Sequence, residues 1–380
     1  DLAVKGVQYL LKKCFEGSGL KVGKNHFNMS FSQEGCKLPL TSIRFRGQVD
    51  VQYDPSQTRK RLEITFKRFA IFKFAANGKV HLTLEKDKKK ELTAFNNSML
   101  SFKNELPRSI SQNTLEEKGY QIAKNPIMGT KFLGLFMPNE KLKNKQLRKA
   151  IQYSIDREYI VDSLLRGVGK PAHEGIIPPI FAKYQSEPEI GYSFNEKSAK
   201  HSIELSGFEL TDLKGLDIIT TNREEDIMLA ESLRDMIRKN IGLELSVKYF
   251  HPDEYYPLIE KGKASLFIDG YFGDYPSPEN FLHTLFYGKF VPESLDEYPG
   301  YNIYRYKNPF YDNLLDSARY SQTNFERMVY FQKAERLLML DAVIVPLYYF
   351  ELEYALDEKV RGFKMNPLKT FDLRHAYFSS

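Results

Sequence analysis

From about residue 125 onward the chain alternates between two hydrophobic periods. The stretches "KFLGLFM" (131–137), "LDIITT" (216–221), "LELSVKYF" (243–250) and "ASLFIDG" (264–270) are short apolar or alternating runs of the strand type. Between them lie segments with helical spacing. In "QLRKAIQYSI", Leu147, Ala150, Ile151, Ser154 and Ile155 fall on one face. In "EEDIMLAESLRDMIRKNIG", the buried side is expected to carry Ile227, Ala230, Leu233 and Ile237. Helix boundaries are marked by Asp156, with Glu158 in the following turn and a stop near Gly167, by Asn195 with Gly207 as its stop, and by Asp253 before "EYYPLIEKG". Strands separated by ten- to fifteen-residue helices indicate βαβ units and an α/β lobe.

The first third has a different texture. "DLAVKGVQYLLKK" reads as an amphipathic helix and not as a cleavable signal sequence, although the chain starts without Met. "TSIRFRGQVDVQYD", "RLEITFKRFAIFKF" and "GKVHLTLEK" alternate as strands, with "ANG" (76–78) as a hairpin turn. This region is β-rich and has no chemistry that the residues identify.

At 380 residues the chain is long for one core, so two domains or lobes are expected. Hydrophobic content of 42% with 27% charged residues is that of a globular protein, not a disordered one. The longest apolar runs, such as "VIVPLYYF" (343–350), fall short of the roughly 20 residues of a membrane span. The net charge of +6 is small against 55 basic and 49 acidic residues. The local clusters "KDKKK" (86–90) and "KLKNKQLRK" (141–149) carry no nucleic-acid signature, and the second is expected to be a solvated helix face. Cys14 and Cys36 are too few for a four-cysteine zinc site; they either close a loop of about twenty residues in an oxidising compartment or remain buried thiols.

Catalytic signatures are absent. There is no GxxxxGK[ST], no GxGxxG after a strand, no HExxH and no GxSxG. His173 beside Glu174 is the one neighbour pair that suggests a metal, but adjacent residues point apart and a third ligand is missing. The chain is expected not to be an enzyme and to need no cofactor. A more specific feature is "GYFGDYPSPENF" (270–281), which sets Asp274 among aromatics after a strand, with no cation nearby in sequence. Ser277 is the better helix cap, because Pro278 suits the first helical position and Glu279 the first turn. That leaves Asp274 in the loop after a strand, where α/β sheets place ligand contacts. On the residues alone, a plain turn aspartate and a binding residue both remain open.

"GYFGDYPSPENFLHTLF" resembles the strand–loop–helix segment of the family 5 extracellular solute-binding proteins, the peptide-, dipeptide- and nickel-binding receptors of ABC importers. "GTKFLGLFMPN", "LRKAIQYSIDREYIVDSLLRGVGKPAHEGIIPP", "FNEKSAKHSIELSGF", "YNIYRYKNPFYDNLLDSAR" and "YFQKAERLLMLDAVIVPLYYF" are similar to further segments of that family, in its order. The resemblance covers about 125 to 350, fades over 60 to 110 and does not extend before 60. It implies an α/β, two-lobed periplasmic binding protein-like fold with a hinge (type II, cluster C-like). Lobe I would comprise 1–130 plus 345–380 and lobe II 131–344, with crossings near 130–136 and 343–350 and ligand in the cleft. It implies that Asp274 pairs with the ligand's α-amino group, that Tyr271 packs on the ligand with Phe272 among its aromatic neighbours, and that Arg223 is the counterpart of a carboxylate-holding arginine. Position 271 is usually Trp in the family, and this chain has none. The implied partners are a short peptide or other amine-bearing solute and an ABC permease. The implied protein is monomeric and periplasmic, or lipid-anchored through an upstream cysteine. Nickel chelates, sugars and haem are other cargoes of such proteins, and a surface adhesin or sensor without transport is the alternative function.

Overall fold

The computed structural model describes residues 112–379 apart from 182–183, 185–190, 296 and 373–375, together with 21–22, 26–30, 48–52, 72–74, 80–82, 88–97, 99–104 and 106. Cys14, Cys36, the expected N-terminal helix and the "ANG" turn lie outside the described residues. The chain divides into two compact units, Asp1–Asn125 with Leu352–Ser380, and Pro126–Glu351.

The first unit is built from β1 (Lys21–Val22), β2 (His26–Ser30), β3 (Gln48–Gln52), β4 (Phe72–Phe74), β5 (Val80–Leu82), α1 (Lys88–Asn96), β6 (Phe102–Asn104) and α2 (Gln112–Glu117). The strands run in the order β1-β2-β3-β5-β4-β6, and β6 then pairs antiparallel with residues 354–356. The β-rich reading of this region therefore holds where it is described. Phe95, Leu100, Leu115, Tyr120 and Ala355 form its buried cluster. Inside it Lys103 meets Glu91 at 2.7 Å.

The second unit begins within β7 (Tyr120–Leu135) and continues through α3 (Lys145–Tyr153), β8 (Lys170–Pro171), α4 (Glu196–Ser206), β9 (Asp217–Thr221), α5 (Glu224–Ile241) and β10 (Ser246–Phe250). It is completed by α6 (Pro252–Glu260), β11 (Leu266–Phe272), α7 (Pro278–Phe286), α8 (Pro309–Tyr320), α9 (Asn324–Leu340) and the first part of β12 (Ile344–Asp357), which passes into the first unit at Leu352. Strand order is β12-β7-β11-β9-β10, with β8 on β12. β9, β10 and β11 run parallel, and β7 is antiparallel to β11, with Leu266 opposite Leu135 and Phe272 opposite Gly129.

Period-two alternation sorts these strands onto two cores. Phe132, Ile219, Phe267 and Ile344 belong to one cluster; Leu133, Leu135, Ile218, Leu266, Ile268 and Val345 belong to the other. The five residues expected on the inner face of α3 and just after it are all buried. On α5, Ala230, Leu233 and Ile237 are buried as the spacing predicts, whereas Ile227 is half-buried and Leu229 takes the inner position. The caps at Asp156 and Asn195 form, accepting from the amides of Tyr159 and Ser198, and Gly207 ends α4 at φ +72°. Asp253 does not cap α6. The helix starts at Pro252 with His251 as its cap, because proline lacks an N–H and is already set for the first helical position.

The return strand is tied to α3 and the turn after it by three long side chains. Arg148 donates to the Asp341 carbonyl at 2.7 and 3.1 Å, Gln152 to that of Ile344 at 2.5 Å, and Arg157 to that of Pro346 at 2.6 Å. Burial lowers the pKa of Arg157 to about 10, which leaves the guanidinium charged at neutral pH. A second set of bonds fixes the loop after β8. Thr130 donates to the Ile176 carbonyl, Tyr349 to that of Gly175, and the buried Glu335 accepts from the Ile177 amide and the Tyr184 hydroxyl.

Gly134 of β7 is closely packed. A Cβ there would lie 2.6 Å from the Phe267 ring and 2.8 Å from the Tyr304 ring, both fully buried. Gly134→Ala is expected to lower stability by about 1–3 kcal/mol, the range for overpacking a filled core. Guanidinium unfolding should show a lower midpoint with an unchanged slope; an unaltered midpoint would mean the rings yield freely.

Candidate ligand-binding site

The carboxyl ends of β9, β10 and β11 lie along one edge of the second unit's sheet, because the three strands are parallel. Residues that follow β9 and β11 are therefore delivered to that edge, the usual place for ligand contacts in α/β sheets. Arg223 follows β9, and Asp274 follows β11.

Asp274 is exposed and sits two residues beyond β11. Its amide donates to Asn280 Oδ1 at 2.7 Å, while the preceding Gly273 amide donates to the Met128 carbonyl at 2.8 Å. Its carboxylate accepts from the Tyr271 hydroxyl at 3.1 Å. Among the described residues it makes no ion pair, so its charge is not neutralised internally. Ser277 caps α7 through the Glu279 amide at 3.3 Å, which leaves Asp274 out of the capping role. Tyr271 is half-buried, with its ring edge-on to Phe281 at 5.4 Å. Burial first, and then the Asp274 charge, push its phenol far above the usual range, so the hydroxyl stays a donor.

Phe272 is exposed and stacks on Phe350 with ring centroids 4.4 Å apart and planes 20° from parallel. The two rings belong to strands on either side of β7 in the sheet order. They meet because the residue between them is Gly129, where a Cβ would fall 2.8 Å from the Phe272 ring and 2.9 Å from the Phe350 ring. Arg223 is exposed at the start of α5; its amide donates to Thr221 Oγ1, and its guanidinium caps nothing and forms no ion pair among the described residues. Tyr271 and Asp274 are thus in direct contact, Phe272 stands on the neighbouring backbone position, and Arg223 shares the edge without a recorded bond to them.

Two polar groups at this edge were not anticipated. Lys131 meets Asp226 at 2.7 Å, each 13% exposed, and Thr221 donates to the same carboxylate at 2.5 Å. Burial raises the Asp226 pKa, but the Lys131 charge, the hydrogen bonds from Lys131 and Thr221, and the Arg223 charge outweigh it, so the net shift is downward. Asp269 accepts from the Tyr304 hydroxyl and the Gly270 amide, both at 2.8 Å, and burial holds its carboxyl above the usual range. A sequence signal existed for Lys131, since it has the same strand parity as the buried Leu133 and Leu135 and so needed a counter-charge. His173 pairs with Glu158 at 2.9 Å, not with Glu174, and no group of three potential metal ligands occurs among the described residues.

Comparison with known proteins gives a family. The profile of the bacterial extracellular solute-binding proteins, family 5 Middle, matches residues 55–292, more than half of the chain. The oligopeptide-binding protein OppA of Bacillus subtilis is 24% identical over 271 residues, covering 70% of this chain and 48% of OppA. The chain spans about half the length of the curated relatives it matches. Among solved structures, the murein tripeptide binding protein MppA of Escherichia coli superposes with a TM-score of 0.64 at 22% identity, covering 77% of this chain and 56% of MppA. Haemophilus influenzae OppA in complex with RPPGFSPFR gives 0.62 at 19%, covering 80% and 59%. These likenesses establish the fold as the α/β, two-lobed type of periplasmic peptide-binding proteins. On the match over 55–292, the chain belongs to the bacterial extracellular solute-binding proteins of family 5.

Proposed function

We propose that the protein binds short peptides, or a related amine-bearing solute, outside the cytoplasm and delivers them to an ABC permease, making and breaking no covalent bond. The observation that carries this reading is the exposed Asp274 carboxylate, held by the Tyr271 hydroxyl and, among the described residues, without an ion-pair partner. A ligand ammonium meeting that carboxylate away from water forms a charge-assisted hydrogen bond, roughly twice as strong as a neutral one. Tyr271 orients the carboxylate, while the Phe272–Phe350 stack, on the opposite face of β11 by strand alternation, forms a separate apolar surface. Arg223, uncommitted at the same edge, is assigned to the ligand's carboxylate. In this reading unit 2 corresponds to lobe II, expected over 131–344, and unit 1 to lobe I. The protein acts as a monomer, and it reaches the permease either free in the periplasm or through a lipid anchor. No helix among the described residues is long and apolar enough to cross a membrane. The relatives are oligopeptide-, dipeptide- and murein peptide-binding proteins, which supports the peptide class over the adhesin alternative.

Calorimetric titration with a panel of short peptides tests the assignment. Asp274→Ala should weaken binding of free peptides at least tenfold, about 1.4 kcal/mol. N-acetylation of the peptide should weaken binding to the wild type similarly, and add little further loss in the variant. Equal affinity of wild type and Asp274→Ala for the same peptide would remove Asp274 from the site. Arg223→Ala should weaken peptides with a free carboxylate by about tenfold and leave C-terminal amides nearly unchanged. Equal losses for acids and amides would show that Arg223 contributes only to local structure.

A further inference from the structure

We propose that the second unit contains another binding site, for a small oxyanion, in the pocket between α3, the segment before α8 and the end of α9. This inference is independent of the peptide site. β7 runs antiparallel to β11, and Asp274 follows the Phe272–Gly129 end of that pair, whereas Met137 lies beyond the Leu135–Leu266 end. The pocket, about 310 Å³, is bordered by Met137, Arg148, Arg305, Lys307, Asn308 and Asp341, among others.

Its charge is unbalanced. Arg148 and Arg305 are only 4% and 5% exposed, yet neither forms an ion pair among the described residues. The hydrogen bonds of Arg148 go to the carbonyls of Leu142, Lys143 and Asp341. Arg305 Nη2 donates to the carbonyls of Glu260, Leu295 and Glu297, while its Nε and Nη1 have no partner. Main-chain carbonyls satisfy donors but do not neutralise a charge, and buried charges in proteins are normally paired. The Asp341 carboxylate is already engaged by Lys145 at 3.1 Å, Tyr306 at 2.7 Å and Asn308 at 2.9 Å. Among the described residues Lys307 pairs with the fully exposed Glu293, 3.6 Å away.

Three cations thus border a polar pocket with one acid, Asp341, which lies near Arg148 while its carboxylate accepts from Lys145, Tyr306 and Asn308. Arg305 also holds a left-handed backbone, φ +56°, which a residue with a Cβ rarely adopts. Strain of this kind concentrates at binding sites, where surrounding contacts over-determine the conformation. Burial lowers the pKa of both guanidiniums; at Arg148 the nearby Asp341 charge opposes that shift, whereas at Arg305 burial acts alone. A phosphate, sulfate or carboxylate group would bring negative charge to this cluster, and guanidinium is the side chain best matched to such groups.

The test is thermal unfolding and calorimetry of the whole chain in chloride buffer, with inorganic phosphate, sulfate or acetate added at constant ionic strength. Phosphate or sulfate should bind with saturable heat and raise Tm by at least about 3 °C at saturation. A response to phosphate and sulfate but not acetate identifies a free tetrahedral anion; an equal response to acetate identifies a carboxylate-bearing ligand, and both support an oxyanion site. Lys307→Glu, at an accessible position, should weaken the response at least about fivefold without unfolding the chain. Asp274→Ala should leave it intact, which separates this site from the peptide site. No saturable response to any of the three anions, or one unchanged in Lys307→Glu, would overturn the proposal.

Discussion

The candidate site depends on the backbone register between β7 and β11, in which Phe272 lies opposite Gly129 and Leu266 opposite Leu135. A register slip of one residue would exchange the two faces of β11, sending Phe267 and Ile268 to each other's cores. It would also break the Gly273–Met128 bond that ends the pairing just before Asp274. Two glycines make the register possible. Gly134 accommodates the Phe267 and Tyr304 rings at one end, and Gly129 lets Phe272 and Phe350 stack across the strand at the other. Small residues in β7 thus fix large ones on both neighbours, and the loop carrying Asp274 starts from a rigid point.

Local signals were largely legible in the sequence, and distant contacts were not. Ser277, Pro278 and Glu279 are an adjacent capping set that short-range rules reach, leaving Asp274 to the loop. Tyr271 stands out only through the family resemblance, and its bond to Asp274 was not foreseen. The inner faces of α3 and α5 follow from helical spacing because both helices lie on a single apolar core. Lys131 and Asp226 are 95 positions apart, and strand periodicity can show that a lysine is misplaced without naming its counter-charge. The same applies to Arg148, Gln152, Arg157 and Glu335, polar residues on helices or turns that a binary pattern assigns to solvent. Each is buried because it satisfies the backbone of a segment far along the chain. His251 displaced Asp253 as a cap because proline chemistry sets the helix start more firmly than a first-turn acid does.

The carboxylates of the edge differ in commitment, and that difference separates scaffold from candidate site. Asp226 is spent on Lys131 and Thr221, and Asp269 on Tyr304 and its own following amide. A ligand cation would have to compete with these internal donors. Asp274 faces one neutral hydroxyl, which aligns the carboxylate without cancelling its charge. An unpaired acid of this kind gives up little on meeting an ammonium, since the groups it loses are solvent and the bond it gains is charge-assisted.

The most direct test of that central claim is a crystal structure of the protein with a bound free-amine peptide. The account predicts the peptide's terminal nitrogen at about 2.7–2.9 Å from an Asp274 carboxylate oxygen, the distance of a charge-assisted bond. A bound peptide whose amine lies against another group, with Asp274 left to solvent, would contradict it.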